Sequence, residues 1–500
     1  MAQRDTTDRD TIYAPATASG RAAVAVVRLS GPRAGDALLA IAGGARNMLP
    51  APREAAFRRL RDPATNDVID EALVLWLPGP RSETGEDMAE LQFHGGRAVM
   101  AAMLGLLARI EGLRLAEPGE FARRAFDNGK LDLTALEAIG DLVAAETEAQ
   151  RKQALRQMDG GLGRLYEIWR ERLVRALAHL EAAIDFPDEG LPDDVASGVA
   201  HEIAALAREI RAHLDDGHRG ERLREGLRVV LTGAPNVGKS SIFNLLVRRE
   251  AAIVAPEAGT TRDVIEAAFD LGGYPVLLAD TAGIREEGIR EAGIHDARAQ
   301  DFASGGAHDP NNGMNRAARF AGDSSDDATI GDVEQEGIRR ARQRADEADL
   351  RIRVLDATED QAGLLELREA GDPDTLLVLN KIDLAPDAVA RLPADLPVVA
   401  LSAATGQGVA ELEQRLASMV AARLESGSTG SGARPVLTRA RHREALEDCL
   451  AAIGRMAAAP GPELAAEDLR LAVRALGRVT GRVDVEDLLD VIFRDFCIGK

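Results

Sequence analysis

One octapeptide constrains this chain more than any other feature: Gly233-Ala234-Pro235-Asn236-Val237-Gly238-Lys239-Ser240. It follows the apolar run 227–232 and precedes helix-forming text over 241–247. A strand, a glycine-rich turn and a helix in that order create a loop whose amide N–H groups face inward, with the helix N-terminus adding positive potential. Val237, Gly238, Lys239, Ser240 and Ser241 are therefore expected to wrap a nucleotide's phosphates. Lys239 would neutralise the β- and γ-phosphates, and the Ser240 hydroxyl would offer an oxygen to Mg²⁺. Asn236 has two readings at this point. It either caps its own turn or turns its side-chain oxygen towards a monovalent cation at the phosphates.

Three further motifs follow in order. Gly259-Thr260-Thr261-Arg262-Asp263 comes first, with Thr261 as a second oxygen ligand to Mg²⁺. Asp280-Thr281-Ala282-Gly283 closes the apolar run 276–279. Asp280 would reach Mg²⁺ through water, and the Gly283 amide would reach the γ-phosphate. Asn380-Lys381-Ile382-Asp383 follows the apolar run 376–379. A carboxylate at Asp383 suits the two N–H donors of guanine and would be left unpaired by adenine. Ser402-Ala403-Ala404, after the next apolar run, fits a loop supporting the base. The set describes a GTPase. Ile284 stands where many GTPases place a water-orienting glutamine, so another acid and another positive charge are needed.

At 500 residues the chain is expected to hold several domains. Its 61 Lys+Arg against 82 Asp+Glu give a formal charge of −21, which excludes coating of nucleic acid by bulk charge but leaves room for a local basic site. Aromatics are 3%, so the core must be built from Ala, Leu, Val and Ile. The two cysteines, Cys449 and Cys497, make neither a zinc framework nor a disulfide scaffold. The longest apolar stretch, 98–108, is short of the roughly 20 residues that span a bilayer. A cytoplasmic protein with no membrane partner is expected.

The texture changes along the chain. Residues 11–31 and 68–96 read as strands and turns. Leu165, Ile168, Trp169, Leu173, Leu177, Leu180 and Ile184 recur at helical spacing, as do Val199, Ile203, Leu206, Ile210 and Leu214. From Leu227 to about Leu424, short apolar runs alternate with helical text, the pattern of a mostly parallel sheet. Arg351 and Arg353 fall on one face of an expected buried strand, 350–356. Residues 425–433 read as a Gly/Ser linker, and the end of the chain is helical, with an apolar face from Leu488 to Phe496. The expected domains are 1–130, 131–224, 225–424 and 434–500, the helices before and after the α/β segment packing together. Residues 299–332, rich in Gly, Asp, Asn and Ser, read as an insertion.

The four motifs, the Phe186-Pro187-Asp188-Glu189 break and the terminal Phe496-Cys497-Ile498-Gly499-Lys500 resemble the MnmE (TrmE) family of tRNA modification GTPases, essentially from Thr11 to Lys500. The resemblance implies an α/β P-loop GTPase domain inserted into an α-helical domain, preceded by an α+β folate-binding-like domain that mediates homodimerisation. It implies a 5-formyltetrahydrofolate-type one-carbon donor, with contacts carried over to Arg28, Glu90, Lys130 and Lys500. It implies an MnmG (GidA)-type flavoprotein partner, and an aminomethyl or carboxymethylaminomethyl group installed at C5 of the tRNA wobble uridine. It favours the cation reading of Asn236: K⁺ would lie against Asn236 and the loop from Ala255 to Thr260, with Ala255 and Glu257 acting through their carbonyls. The family's catalytic acid maps to Glu334, three residues before Gly337-Ile338, where it would orient water through a bridging water. The insertion lengthens that gap, and Glu287-Gly288-Ile289 offers a competing register. Cys497 is either a nucleophile or redox thiol near the folate, or a small buried hydrophobe. A rival reading of the GTPase motifs is a ribosome-assembly or RNA-binding switch without modification chemistry, which would ordinarily carry a basic appendage.

Overall fold

The computed structural model describes residues 10–18, 20–42, 48–185, 193–249, 252–253, 266–280, 348–359, 372–391, 397–425 and 435–483. They fall into two compact units. One takes the residues up to Glu225 together with those from Arg423, and the other is Gly226–Ala422.

The first unit begins with a six-stranded sheet. Its strands are β1 (Thr11–Pro15), β2 (Val24–Ser30), β3 (Ala56–Arg61), β4 (Val68–Leu77), β5 (Met88–His94) and β6 (Leu113–Leu115), in the order β3-β4-β5-β2-β1-β6. All neighbours are antiparallel except β1 and β6. Alternation along β2 and β5 buries Val27, Leu29, Leu91 and Phe93 on one face. There they pack with α1 (Ala34–Ala42) and α2 (Arg97–Leu107) through Leu38, Ile41, Met103 and Leu107. The opposite face carries Arg28 and Glu90, which stand opposite each other in register. A short helix, α3 (Glu120–Asp127), follows the sheet.

Helices α4 (Leu133–Ala144), α5 (Glu148–Met158), α6 (Gly161–Asp185), α7 (Asp193–Leu214) and α8 (Arg219–Glu225) complete the first stretch of this unit. Their starts are written locally. Asp132 accepts the Ala135 amide at the head of α4, and Thr147 with Gln150 forms a reciprocal capping box on α5. The main helical core joins the two ends of the sequence. Tyr166, Trp169 and Leu173 of α6 and Ile203, Leu206 and Ile210 of α7 share one cluster with Leu446, Cys449, Ile453, Leu469, Leu476 and Val479. Those last six belong to the two helices Ala440–Ala458 and Pro462–Thr480. The α/β unit is thus inserted in sequence between halves of one helical domain. Ile168, expected on the buried stripe, is 55% exposed, because at roughly 3.6 residues per turn it points about 120° away from the line of Leu162, Tyr166, Trp169 and Leu173.

The second unit is a seven-stranded sheet of β7 (Leu227–Thr232), β8 (Ala252–Ile253), β9 (Glu266–Leu271), β10 (Tyr274–Asp280), β11 (Leu350–Asp356), β12 (Thr375–Asn380) and β13 (Val398–Ala400), in the order β13-β12-β11-β7-β10-β9-β8. The five strands β13, β12, β11, β7 and β10 run parallel, with β9 and β8 antiparallel at one edge. Helix α9 (Lys239–Arg249) follows β7, and α10 (Val409–Glu425) follows β13. Glu425 ends that helix, so the expected linker starts one residue later at the earliest. Arg351 and Arg353 correct the expectation of a strand buried on both faces. Leu350, Ile352 and Val354 are buried, while Arg351 is half-buried and bonded to Asp372 and Arg353 is exposed.

Candidate functional site

In open parallel sheets, ligands bind beyond the carboxyl ends of the strands where the winding reverses. Here β7 is that point, flanked by β11 on one side and β10 on the other. The loop 233–238 leaves its end. Two glycines in it are dictated by close approach. Gly233 has φ +143° and a Cβ there would strike the Val354 carbonyl, while Gly238 has φ +99° and a Cβ would strike the Asn380 side chain. Asn236 itself adopts a left-handed φ of 65°.

Lys239 opens α9 and is 7% exposed. Its ammonium donates to the carbonyls of Gly233 and Ala234 at 3.0 and 2.8 Å. Burial pulls its pKa below the ordinary lysine value, and the charge of Asp280 offsets only part of that. The Ser240 hydroxyl donates to Asp280 Oδ2 at 2.6 Å. Asp280, at the end of β10, is 3% exposed. A hydroxyl and a carboxylate this close form an all-oxygen pair of the kind a hard divalent cation prefers, so Mg²⁺ fits the donor set. Ser241 is exposed on the first turn, and Val237 is buried.

Asn380 ends β12 and is 2% exposed. Its amide donates to the Val237 carbonyl at 2.7 Å, and its Oδ1 accepts the Ala403 amide at 2.9 Å. One side chain therefore ties the glycine-rich loop to the loop of Ser402, Ala403 and Ala404. Ser402 is fully buried and its hydroxyl accepts the Thr405 amide at 3.2 Å. Lys381, at φ 66°, donates to Asp356 Oδ2 at 2.5 Å. Burial would raise the Asp356 carboxyl, but hydrogen bonds from Lys381 and Thr358 outweigh it and hold it low. Asp356 is a site residue that sequence reasoning missed. It ends β11 in register with Asn380, a pairing that appears only once the strands are aligned. Asp383 stands exposed beside this pair, free to meet a base.

In the other unit, Arg28 Nε lies 3.2 Å from Glu90 Oε2 and Arg28 Nη1 lies 3.0 Å from Glu83 Oε2. Gln92 Nε2 donates to Glu90 Oε1 at 2.7 Å. Lys130 donates to the Pro80 carbonyl at 2.9 Å. Arg28 and Glu90 are brought together, Lys130 meets the loop that carries Glu83, and Glu83 and Gln92 were missed. Ala255, Glu257, Thr260, Thr261, Thr281, Ala282, Gly283, Glu334, Cys497 and Lys500 lie outside the described residues, as do the 299–332 insertion and the 186–189 break. Among the described residues no cluster of three or more His, Cys, Asp or Glu side chains could hold a metal ion, and no helix is long and apolar enough to cross a membrane.

The switch-point loop, its buried lysine and the asparagine tie define a P-loop GTPase. Residues 133–497 match the family model described as the MnmE helical domain, and residues 11–130 match that of the GTP-binding protein TrmE N-terminus. The tRNA modification GTPase MnmE of Parvibaculum lavamentivorans is 52% identical over 497 residues, covering 98% of this chain and all of that one. Its namesake in Rhodospirillum rubrum is 52% identical over 506 residues, covering 98% of this chain and 99% of the relative. The chain belongs to the MnmE family of tRNA modification GTPases. Among solved structures, the G domain of the T. maritima FeoB iron transporter is 25% identical over 39% of this chain and 98% of that one, with a TM-score of 0.22.

Proposed function

We propose that this GTPase acts as a homodimer on tRNA in the cytoplasm. With an MnmG (GidA)-type flavoprotein it adds an aminomethyl or carboxymethylaminomethyl group at C5 of the wobble uridine. The domain limits proposed for that work are 1–130 for donor binding and dimerisation, 131–224 with 434–500 for the helical domain, and 225–424 for the GTPase domain. The convergence of Lys239, Ser240, Asp280 and Asn380 on one loop at the ends of β7, β10 and β12 carries the GTPase part of the reading, and the family match over residues 11–130 and 133–497 supports the tRNA part.

Lys239 exchanges its two carbonyl acceptors for phosphate oxygens, and its partial desolvation strengthens that attraction. The amides of Val237, Gly238, Lys239, Ser240 and Ser241 line the phosphates, joined by Thr281, Ala282 and Gly283. Asn380, Lys381 and Asp383 read guanine, with Ser402, Ala403 and Ala404 behind the base. Ser240 and Thr261 would hold Mg²⁺, with Asp280 reaching it through water. Asn236, Thr260 and the carbonyls of Ala255 and Glu257 would hold K⁺. The two cations supply positive charge against the phosphates. Glu334 orients the attacking water. Arg28, Glu90, Lys130 and Lys500 hold the 5-formyltetrahydrofolate-type donor, with Cys497 close to it. The partly exposed Glu83, Glu90 and Arg28 suit the N–H edge of a pterin and the carboxylates of a glutamate tail.

Nucleoside profiling of tRNA from a deletion strain complemented with this gene tests the assignment. Restored wobble-uridine modification is expected. Unchanged wobble uridines in the deletion strain would favour a ribosome-assembly or RNA-binding switch. Hydrolysis indifferent to replacing K⁺ by Na⁺, or to Asn236→Ala, would remove the cation role.

A further inference from the structure

Loop 78–87 links β4 to β5 and reaches two of the groups that the donor reading uses, Arg28 and Lys130. Glu83 bonds Arg28 at 3.0 Å, and the Pro80 carbonyl accepts Lys130 at 2.9 Å. What fixes the loop is a buried polar network. Arg124 of α3 is 4% exposed, and Ser30 and Thr84 are fully buried. Arg124 Nη1 donates to Glu86 Oε2 at 3.0 Å and to the Ser30 carbonyl at 3.3 Å, while Nη2 donates to Glu120 Oε1 at 2.9 Å.

The hydroxyl protons can be assigned. A carboxylate only accepts, so Ser30 Oγ must donate to Glu86 Oε2, 2.8 Å away. Its proton is then spent, so Thr84 donates to Ser30 Oγ at 2.7 Å. Thr84 Oγ1 in turn accepts the Glu86 amide at 3.2 Å. Asn128 donates to the Thr84 carbonyl at 2.7 Å, and the Gly79 amide donates to Asp87 Oδ1 at 2.9 Å. Gly85, at φ +81°, sits in a backbone conformation that strains any side chain, and a Cβ would press on Asn128 Cβ at 3.0 Å. The loop is thus clamped from β2, from α3 and from the turn that carries Lys130.

We propose that the Arg124–Glu86–Ser30–Thr84 network is a positioning device: it fixes loop 78–87, and through Glu83 and the Pro80 carbonyl it sets Arg28 and Lys130 for the one-carbon donor. The inference rests on the donor reading above. A buried network whose two hydroxyl protons each have a single possible acceptor favours one arrangement, which is what a loop presenting charged side chains needs. Its members are positioning residues, since none is placed against the donor itself.

A pair of substitutions separates this role from packing. Thr84→Val keeps the side-chain volume and removes the hydroxyl. Thr84→Ser keeps the hydroxyl and removes a methyl. In the full-length protein assayed with its flavoprotein partner and tRNA, Thr84→Val is expected to raise the KM for 5-formyltetrahydrofolate about tenfold, the scale of one buried hydrogen bond. The rate at saturating donor should stay unchanged, and hydrogen exchange at the Gly79 and Glu86 amides should quicken without ligand. Thr84→Ser should match wild type in both readouts. Arg124→Lys, which keeps the charge and loses the fork, should behave like Thr84→Val. The reverse order of Val and Ser, silence of both, or faster exchange with an unchanged KM would overturn the proposal. No use of the donor by wild type would overturn the donor reading and the role given to the network with it. The exchange comparison would then show separately whether the network holds the loop.

Discussion

Two buried charges, one in each compact unit, are held in opposite ways. Lys239 rests on two backbone carbonyls and keeps a lowered pKa. Glu137 of α4, 1% exposed, is saturated by charge. Arg441 donates to both its oxygens at 2.6 Å, His442 Nε2 lies at 3.0 Å and Arg439 Nε at 3.3 Å. Burial would raise the Glu137 carboxyl, but the charges and hydrogen bonds around it carry it far below the usual range. His442 is fully buried, and burial holds it below the ordinary imidazole value despite Glu137. His442 and then Arg441, through charge and hydrogen bonds, are what hold Glu137 ionised, with the Arg439 guanidinium 3.3 Å away. The difference separates a working charge from a structural one. Lys239 holds neutral partners that an anion can displace, whereas Glu137 has nothing left to offer a ligand.

Removing each charge therefore shows in a different assay. Glu137→Ala leaves Arg441 and Arg439 facing an emptied site, and should cost about 3–5 kcal/mol of stability in urea unfolding. GTP binding below the transition should survive; loss of nucleotide affinity without loss of stability would erase the distinction. Lys239→Ala should lower GTP hydrolysis by about 10²–10³-fold and leave the unfolding midpoint nearly in place, read by phosphate release and thermal melts. Asn380→Ala sits between the two, since it cuts a buried tie that is also part of the site. It should weaken GTP by about one to two orders of magnitude, the cost of orphaning the Val237 carbonyl and the Ala403 amide.

The smallest effect is in pH. Both Glu137 and His442 have folded values below their unfolded ones, 4.5 and 6.5. Each contributes stability that is complete above its unfolded value and is lost as pH falls. The melting temperature should therefore drop on acidification from pH 7 to 5.5, and drop less in His442→Gln. A melting temperature that rises on acidification over that window would contradict the neutral, buried assignment of His442.

The same contrast explains what was legible in the sequence. A phosphate cradle is made from contiguous residues, so the run Gly233–Ser240 and the strand ends at Asp280 and Asn380 announce it within a few positions each. The helical core was legible as spacing, though Ile168 shows that period alone does not fix which edge of a long stripe is covered. Arg351 and Arg353 looked misplaced because an apolar run does not say whether one or both faces are covered. Arg28 and Glu90 came from family likeness alone, since opposite charges on two strands meet only once the register is known. Glu137 with Arg441, and Arg124 with Glu86, left no local mark. Each pairs side chains whose separation carries no period.

The helical core has a temporal consequence. Glu137 meets Arg441 across 304 positions, and α6 packs on helices that follow the whole α/β unit. At about 5–20 residues per second of synthesis, the first half waits roughly 15 to 60 s for its complement. For that interval Trp169, Leu173 and Ile210 have no native cover from the late helices. The emerging chain thus presents a greasy half-interface to the ribosome exit and its attendant chaperones, and an early stop codon would leave that surface bare for good.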